Sequence, residues 1–157
     1  SDVYKRQKHS YSIIMLKHVA YKTYFDVTES DFESVFLNFN KLLERKGLIA
    51  KSPLHFAVTQ VDLHKNSNIE VFIAVNKSFE SCEELQYRTY FYIKNLLQGR
   101  ITSNNFVKDE IELLNEMQTF AKENNLTFIS PYYHVFKTNY KNEKAWVEVK
   151  AKVYENE

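Results

Sequence analysis

The sequence predicts an α+β domain built from two β-α-β-β units related by pseudo-two-fold symmetry, with antiparallel strands and with the helices on one face of the sheet. Three observations predict it. Gly47-Leu48, Ser52-Pro53, Glu70-Val71 and Val75 recur as Asn125-Leu126, Ser130-Pro131, Glu148-Val149 and Val153, at a constant offset of 78 residues. Tyr21-Lys22-Thr23-Tyr24-Phe25-Asp26-Val27 recurs in type as Tyr87-Arg88-Thr89-Tyr90-Phe91-Tyr92-Ile93 at an offset of 66, so the second copy carries twelve extra residues between its first strand and its helix. Within each copy the apolar periodicity passes from two-fold to helical and back. A duplicated unit usually packs against its twin, and the seam between copies is a natural groove for a ligand.

The domain is expected over residues 15–157, with repeat one at about 15–80 and repeat two at about 81–157. Residues 1–14 are expected to be a non-native or disordered leader. The first seven have no periodicity and read like a translated adapter.

The first strand of copy one is expected over residues 18–27, where Thr, Tyr, Phe and Val suit a pleated surface. Ser30 with Glu33 has the spacing of a capping box. Phe32, Val35, Phe36, Phe39, Leu42 and Leu43 then recur at helical spacing. Gly47 stops that helix by supplying a left-handed residue, and its counterpart Asn125 is the next-best residue for the same conformation. After each Ser-Pro the period returns to two, over residues 54–62 and 69–75 in the first copy and 132–140 and 145–153 in the second. Polar hairpin loops join them at 64–68 and 141–144. The second helix presents Val107, Ile111, Leu114, Met117 and Ala121, with Leu113 and Phe120 beside them. The twelve-residue insertion around 95–104 is expected to form a lip or hairpin arm whose Leu96, Leu97 and Ile101 need cover.

Strand parity sorts the faces. Ile69, Val71, Ile73 and Val75, and likewise Val147, Val149, Ala151 and Val153, form apolar rows that face the helices. Glu70, Phe72 and Ala74, and Trp146, Glu148, Lys150 and Lys152, fall on the other face. The same alternation sends Tyr24, Tyr90 and Tyr92 away from the helices and Phe25, Phe91, Val27 and Ile93 inward.

Composition narrows the function. Twenty-one Lys and Arg against twenty Asp and Glu leave no one-signed stripe for tracking phosphates, so nucleic acid is not an expected partner. No run approaches the roughly 20 apolar residues of a membrane span, so no membrane partner is expected either. The lone Cys82 excludes an internal disulfide and fits a reducing, cytoplasmic compartment. His and Cys show no zinc-ligand spacing, so neither a metal nor a cofactor is expected. Two Gly and two Pro leave the turns to Asn, Ser, Asp and Lys. Eleven Tyr hydroxyls need partners or solvent, which places some of them in a groove.

These residues resemble the GyrI-like effector-binding domain family over residues 15–154. The last strand, Ala145-Trp146-Val147-Glu148-Val149, and the Ser130-Pro131-Tyr132-Tyr133 entry to the strand before it carry the likeness. Ser52 and Ser130 depart from it, standing before the prolines where the family favours Gly. The resemblance implies two strand-helix-strand-strand units and an acidic residue in a ligand cleft, at Glu148. It further implies a stand-alone bacterial module that binds small molecules, inhibits gyrase as a protein or hydrolyses reactive toxins.

The candidate ligand-binding residues are therefore Glu148, Trp146, Glu70, Tyr24, Tyr90 and Tyr133. Glu148 would meet a cation, or would pair with a neighbouring lysine on a solvated strand. Trp146 would stack on a planar ligand, or would seal a sheet edge. Glu70 is the repeat counterpart of Glu148, and the tyrosines would wall the site. Glu148 with a nearby Tyr or with His134 is the arrangement a hydrolase would use, but a buried, hydrogen-bonded histidine explains His134 as well. No Ser/His/Asp order and no Gly-rich loop points to an enzyme, and no catalytic residue is assigned. Lys108-Asp109-Glu110 and Glu143-Lys144 read as solvated charge. The expected partner is an apolar or cationic small molecule. The rival is a protein that docks on the aromatic face.

Overall fold

The computed structural model describes residues 10–64, 66–102, 106–138 and 145–156. They form seven strands and two helices: β1 (Ser10–Val27), α1 (Phe32–Arg45), β2 (His55–Val61), β3 (Ser67–Ala74), β4 (Gln86–Ile101), α2 (Phe106–Glu123), β5 (Leu126–Phe128), β6 (Tyr133–Thr138) and β7 (Ala145–Glu155). The class is α+β. The chain divides into two compact units, one of residues 15–92 and one of residues 93–156 with 10–14.

In the first unit β3 is flanked by β1 and β2, both antiparallel to it. Ile69, Val71 and Ile73 are buried, as their parity required. Phe56 lies opposite Val71 and meets Phe32 and Phe36 of α1, which identifies this as the helix-facing side. Phe72 points the other way and is also buried, with the Phe91 ring 4.9 Å away. In the second unit β7 lies between β4 and β6, again antiparallel, and β5 pairs with its last residues. Leu97, Ile101, Leu113, Met117, Val147, Val149 and Val153 make the core beneath α2.

Equivalent backbone contacts recur 78 residues apart. Ser52 Oγ accepts from the Ala74 amide and donates to the Pro53 carbonyl. Ser130 Oγ does the same with Lys152 and Pro131. Each serine thus ties the entry of one strand to the strand beside it, a hydrogen bond that Gly has no side chain to make. Gly47 ends α1 at φ 66° with the paired carbonyl contacts of a Schellman turn: its own amide to Glu44 and that of Leu48 to Leu43. Asn125 ends α2 at φ 58°, as its position predicted.

Several expectations are corrected. β1 starts at Ser10, so residues 10–14 are strand and Ile14 is buried. The capping contacts before α1 join Thr28 and Asp31, not Ser30 and Glu33, because a 3-10 turn (Glu29–Asp31) precedes the helix. Over its described residues, through 102, the insertion makes no lip. It lengthens β4 along β7, with Leu96, Leu97 and Ile101 all buried. Ile111 is exposed, because the buried face of α2 runs through Leu113, Met117 and Ala121. The side chain of Val107 and the loop at 141–144, with Glu143-Lys144, lie outside the described residues.

Candidate functional site

Glu148 sits in the middle of the second unit's sheet, on the face away from α2. β7 is flanked on both sides, with Arg100 of β4 and Val135 of β6 directly opposite Glu148. This register lines up Arg100, Gln98, Tyr133, Val135 and Lys137 with Trp146, Glu148 and Lys150 on one face. The glutamate is only 6 % exposed.

A buried carboxylate must be paired, and this one is. Lys150 Nζ lies 3.6 Å from Oε1 and Arg100 Nη2 lies 3.6 Å from Oε2. Trp146 Nε1 donates to Oε2 over 3.3 Å. Lys150 is buried as well and donates to Ser12 Oγ over 3.1 Å. Burial holds the Lys150 ammonium below the usual lysine range, with Glu148 pulling it back up and Lys137 pushing it further down. The Arg100 guanidinium lies over the Trp146 ring, 5.1 Å from its centroid, yet its side chain is 54 % exposed. An indole with a carboxylate held at its edge is a seat for a planar cation. A guanidinium already rests there.

Three of the six candidates, Glu148, Trp146 and Tyr133, thus share one face of the second unit. Glu70, Tyr24 and Tyr90 belong to the first unit. Glu70 is half-buried, between Thr23 and Ala57 on the neighbouring strands. Tyr90 is exposed and lines, with Met15, Leu16, Lys17, Thr89 and Tyr92, a shallow depression of about 760 Å³. Tyr24 does not point away from the helix: its hydroxyl donates to Asn38 Oδ1 of α1 over 2.6 Å, and burial pushes its pKa up to about 12. Phe25 is exposed instead of inward, and Phe91 stacks on Phe72 away from α1. Parity fails in β1 because Asp26 adopts left-handed backbone and the register breaks between Tyr24 and Val27.

His134 and Glu148 are not brought together. His134 alternates to the helix side, where Nε2 is paired with Glu110 Oε1 of α2, so Glu110 is not mere solvated charge. The solvated-strand reading of Glu148 is half right, since it pairs with a lysine but is buried. Arg100, Lys150 and Ser12 were not among the expected site residues. For Lys150 a signal existed, two positions from Glu148 on a strand. For Arg100 none did, because only the β4–β7 register places it there.

A second concavity of about 540 Å³ lies between β4 and α2, lined by residues 98–102 on one side and by Asp109, Glu112, Leu113 and Glu116 on the other. Among the described residues no cluster of His, Cys, Asp and Glu could hold a metal ion, and no helix is long and apolar enough to cross a membrane.

Residues 15–155 match the family model described as "Domain of unknown function (DUF5085)", and the chain belongs to that family. No curated protein matches it. Among solved structures, the chain is similar to one described as "Cryo-EM structure of EcmrR-DNA complex in EcmrR-RPo", with TM-score 0.71 and 10 % identity over 99 % of this chain and 63 % of that one. It therefore spans less than two thirds of that protein. The "Crystal structure of EcmrR C-terminal domain" matches with TM-score 0.64 and 11 % identity, over 94 % of this chain and 99 % of the other. The "Crystal structure of a hydrolase from Listeria innocua" matches with TM-score 0.53 and 10 % identity over 98 % of both. At such identities the likeness is one of fold, and it is consistent with the GyrI-like resemblance of the sequence.

Proposed function

We propose that this DUF5085 member is a small-molecule-binding module that takes an apolar, cationic ligand on the Trp146–Glu148 face of its second unit. One observation carries the reading: a buried carboxylate is hydrogen-bonded to the edge of an indole whose ring already holds a cation. Tyr133 on the same face would supply a further wall. The fold is shared with the EcmrR C-terminal domain and with a protein described as a hydrolase, so the reading rests on the site and not on the fold. A hydrolase on this fold would need a water activator, and the His134–Glu148 pairing considered for that role is split across the two faces of the sheet.

The test is calorimetric titration with N-methylquinolinium and with neutral quinoline, on the native protein and on Glu148→Gln. The cation should weaken by about 1–3 kcal/mol in the variant, the scale of a charge-assisted contact. Quinoline should change little. Equal losses for both would remove Glu148 from the site.

A second reading, a protein-interaction module, is favoured by the exposed Met15, Tyr90 and Tyr92 around the depression on the first unit. Tyr and Met are enriched at such surfaces. Under that reading Tyr90→Ser with Tyr92→Ser would abolish partner capture and leave quinolinium binding untouched.

A further inference from the structure

We infer that Arg100 is a tethered occupant of the Trp146–Glu148 seat and sets its specificity, so that only a cation able to displace a guanidinium can bind. The inference rests on the proposed small-molecule site and adds a residue to it.

The geometry has two parts. Arg100 makes both of the contacts that a planar cation would make, lying over the indole ring and beside Glu148 Oε2. It holds them loosely. The 3.6 Å ion pair is longer than a hydrogen bond, and more than half of the side chain is exposed. Lys150 lies at the same 3.6 Å from the carboxylate but differs in its burial and its further anchor. It is buried, it engages the other carboxylate oxygen, and Ser12 anchors it. Removing Arg100 from its place would therefore open Oε2 and the ring face while Lys150 stayed on Oε1.

A displaced guanidinium would move out into solvent, where more than half of the side chain already lies. A side chain that occupies its own binding seat lowers apparent affinity by the fraction of time the seat is open. Such a filter weakens every occupant of the seat, and weak cations and neutral rings most visibly.

The experiment compares the full chain with its Arg100→Ala and Arg100→Gln variants, titrated with N-methylquinolinium, quinoline and 2-naphthoate, with thermal unfolding to confirm that each variant folds. Arg100→Gln serves if the alanine variant does not. The expected result is quinolinium binding about tenfold tighter in the variants, a change on the scale of a lost cation–π competitor. Arg100→Lys should fall between them and the native protein, because an ammonium keeps the charge but loses the planar stack. Equal quinolinium affinity in native and variant proteins would overturn the role of Arg100 and leave the Trp146–Glu148 site standing. Binding of 2-naphthoate by the native protein, lost on Arg100→Ala, would also overturn it, since Arg100 would then be an anion contact. If quinolinium bound none of the proteins, the site itself would fall, and the role of Arg100 with it.

Discussion

Glu110 of α2 is paired with His134 of β6 at the two positions that, 78 residues earlier, hold Phe32 and Phe56. In the first unit those rings meet edge to face, 6.0 Å apart, and join sheet to helix by apolar contact. The second unit makes the same join with a buried imidazole and a carboxylate that is about a quarter exposed. Two polar partners substitute for two rings at one structural address.

Breaking one partner should therefore cost more than replacing both. His134→Phe and Glu110→Phe are each expected to destabilise by about 1–3 kcal/mol, because the remaining group stays partly buried without its mate. The double variant Glu110→Phe/His134→Phe, which copies the first unit, should recover at least half of that loss. Urea unfolding of the four proteins measures it. Additive losses in the double variant would mean the two addresses are not equivalent.

Gly99 fills a second close approach in the same unit. A Cβ placed there would meet Leu113 Cδ1 at 2.4 Å, so the Leu113 side chain, buried on the inner side of α2, would have to shift. Gly99→Ala is expected to cost about 1–3 kcal/mol by overpacking. Adding Leu113→Ala should relieve the clash, so that the pair loses less than the sum of the single changes. A neutral Gly99→Ala in chemical denaturation would show that β4 and α2 can separate freely.

Tyr24 gives a pH signature. Its folded pKa is raised to about 12 from the ordinary 10.0 by burial, so the native state holds the phenolic proton more tightly than the unfolded chain does. Its stabilising contribution is complete below pH 10 and is lost as pH rises through about 12. Tyr24→Phe should flatten that part of the stability profile and lower stability at pH 7 by about 0.5–1.5 kcal/mol, since the hydrogen bond to Asn38 goes with the hydroxyl. Unfolding midpoints from pH 8 to 12, read beside the tyrosinate absorbance, check both effects. An unchanged slope in the variant would assign the titration to another group.

What the sequence determined by itself was local and periodic. The apolar rows Ile69-Val71-Ile73 and Val147-Val149-Ala151 settled which side of each strand faces its helix, because side chains alternate where the backbone is regular. The burial of Phe72, Glu148 and Lys150 on the other side was not announced. Gly47 and Asn125 marked both helix ends, because few residues tolerate left-handed backbone. Tertiary structure decided the rest. The non-Gly residue Asp26 takes left-handed backbone that no periodicity announces, at a break in the β1 register, and Tyr24 and Phe25 exchanged sides as a result. The Glu148 environment was likewise undecidable from spacing. Lys150 is its neighbour along a strand, but Arg100 reaches it only through the pairing of β4 with β7, and Ser12, which holds Lys150, comes from a segment far away in the sequence.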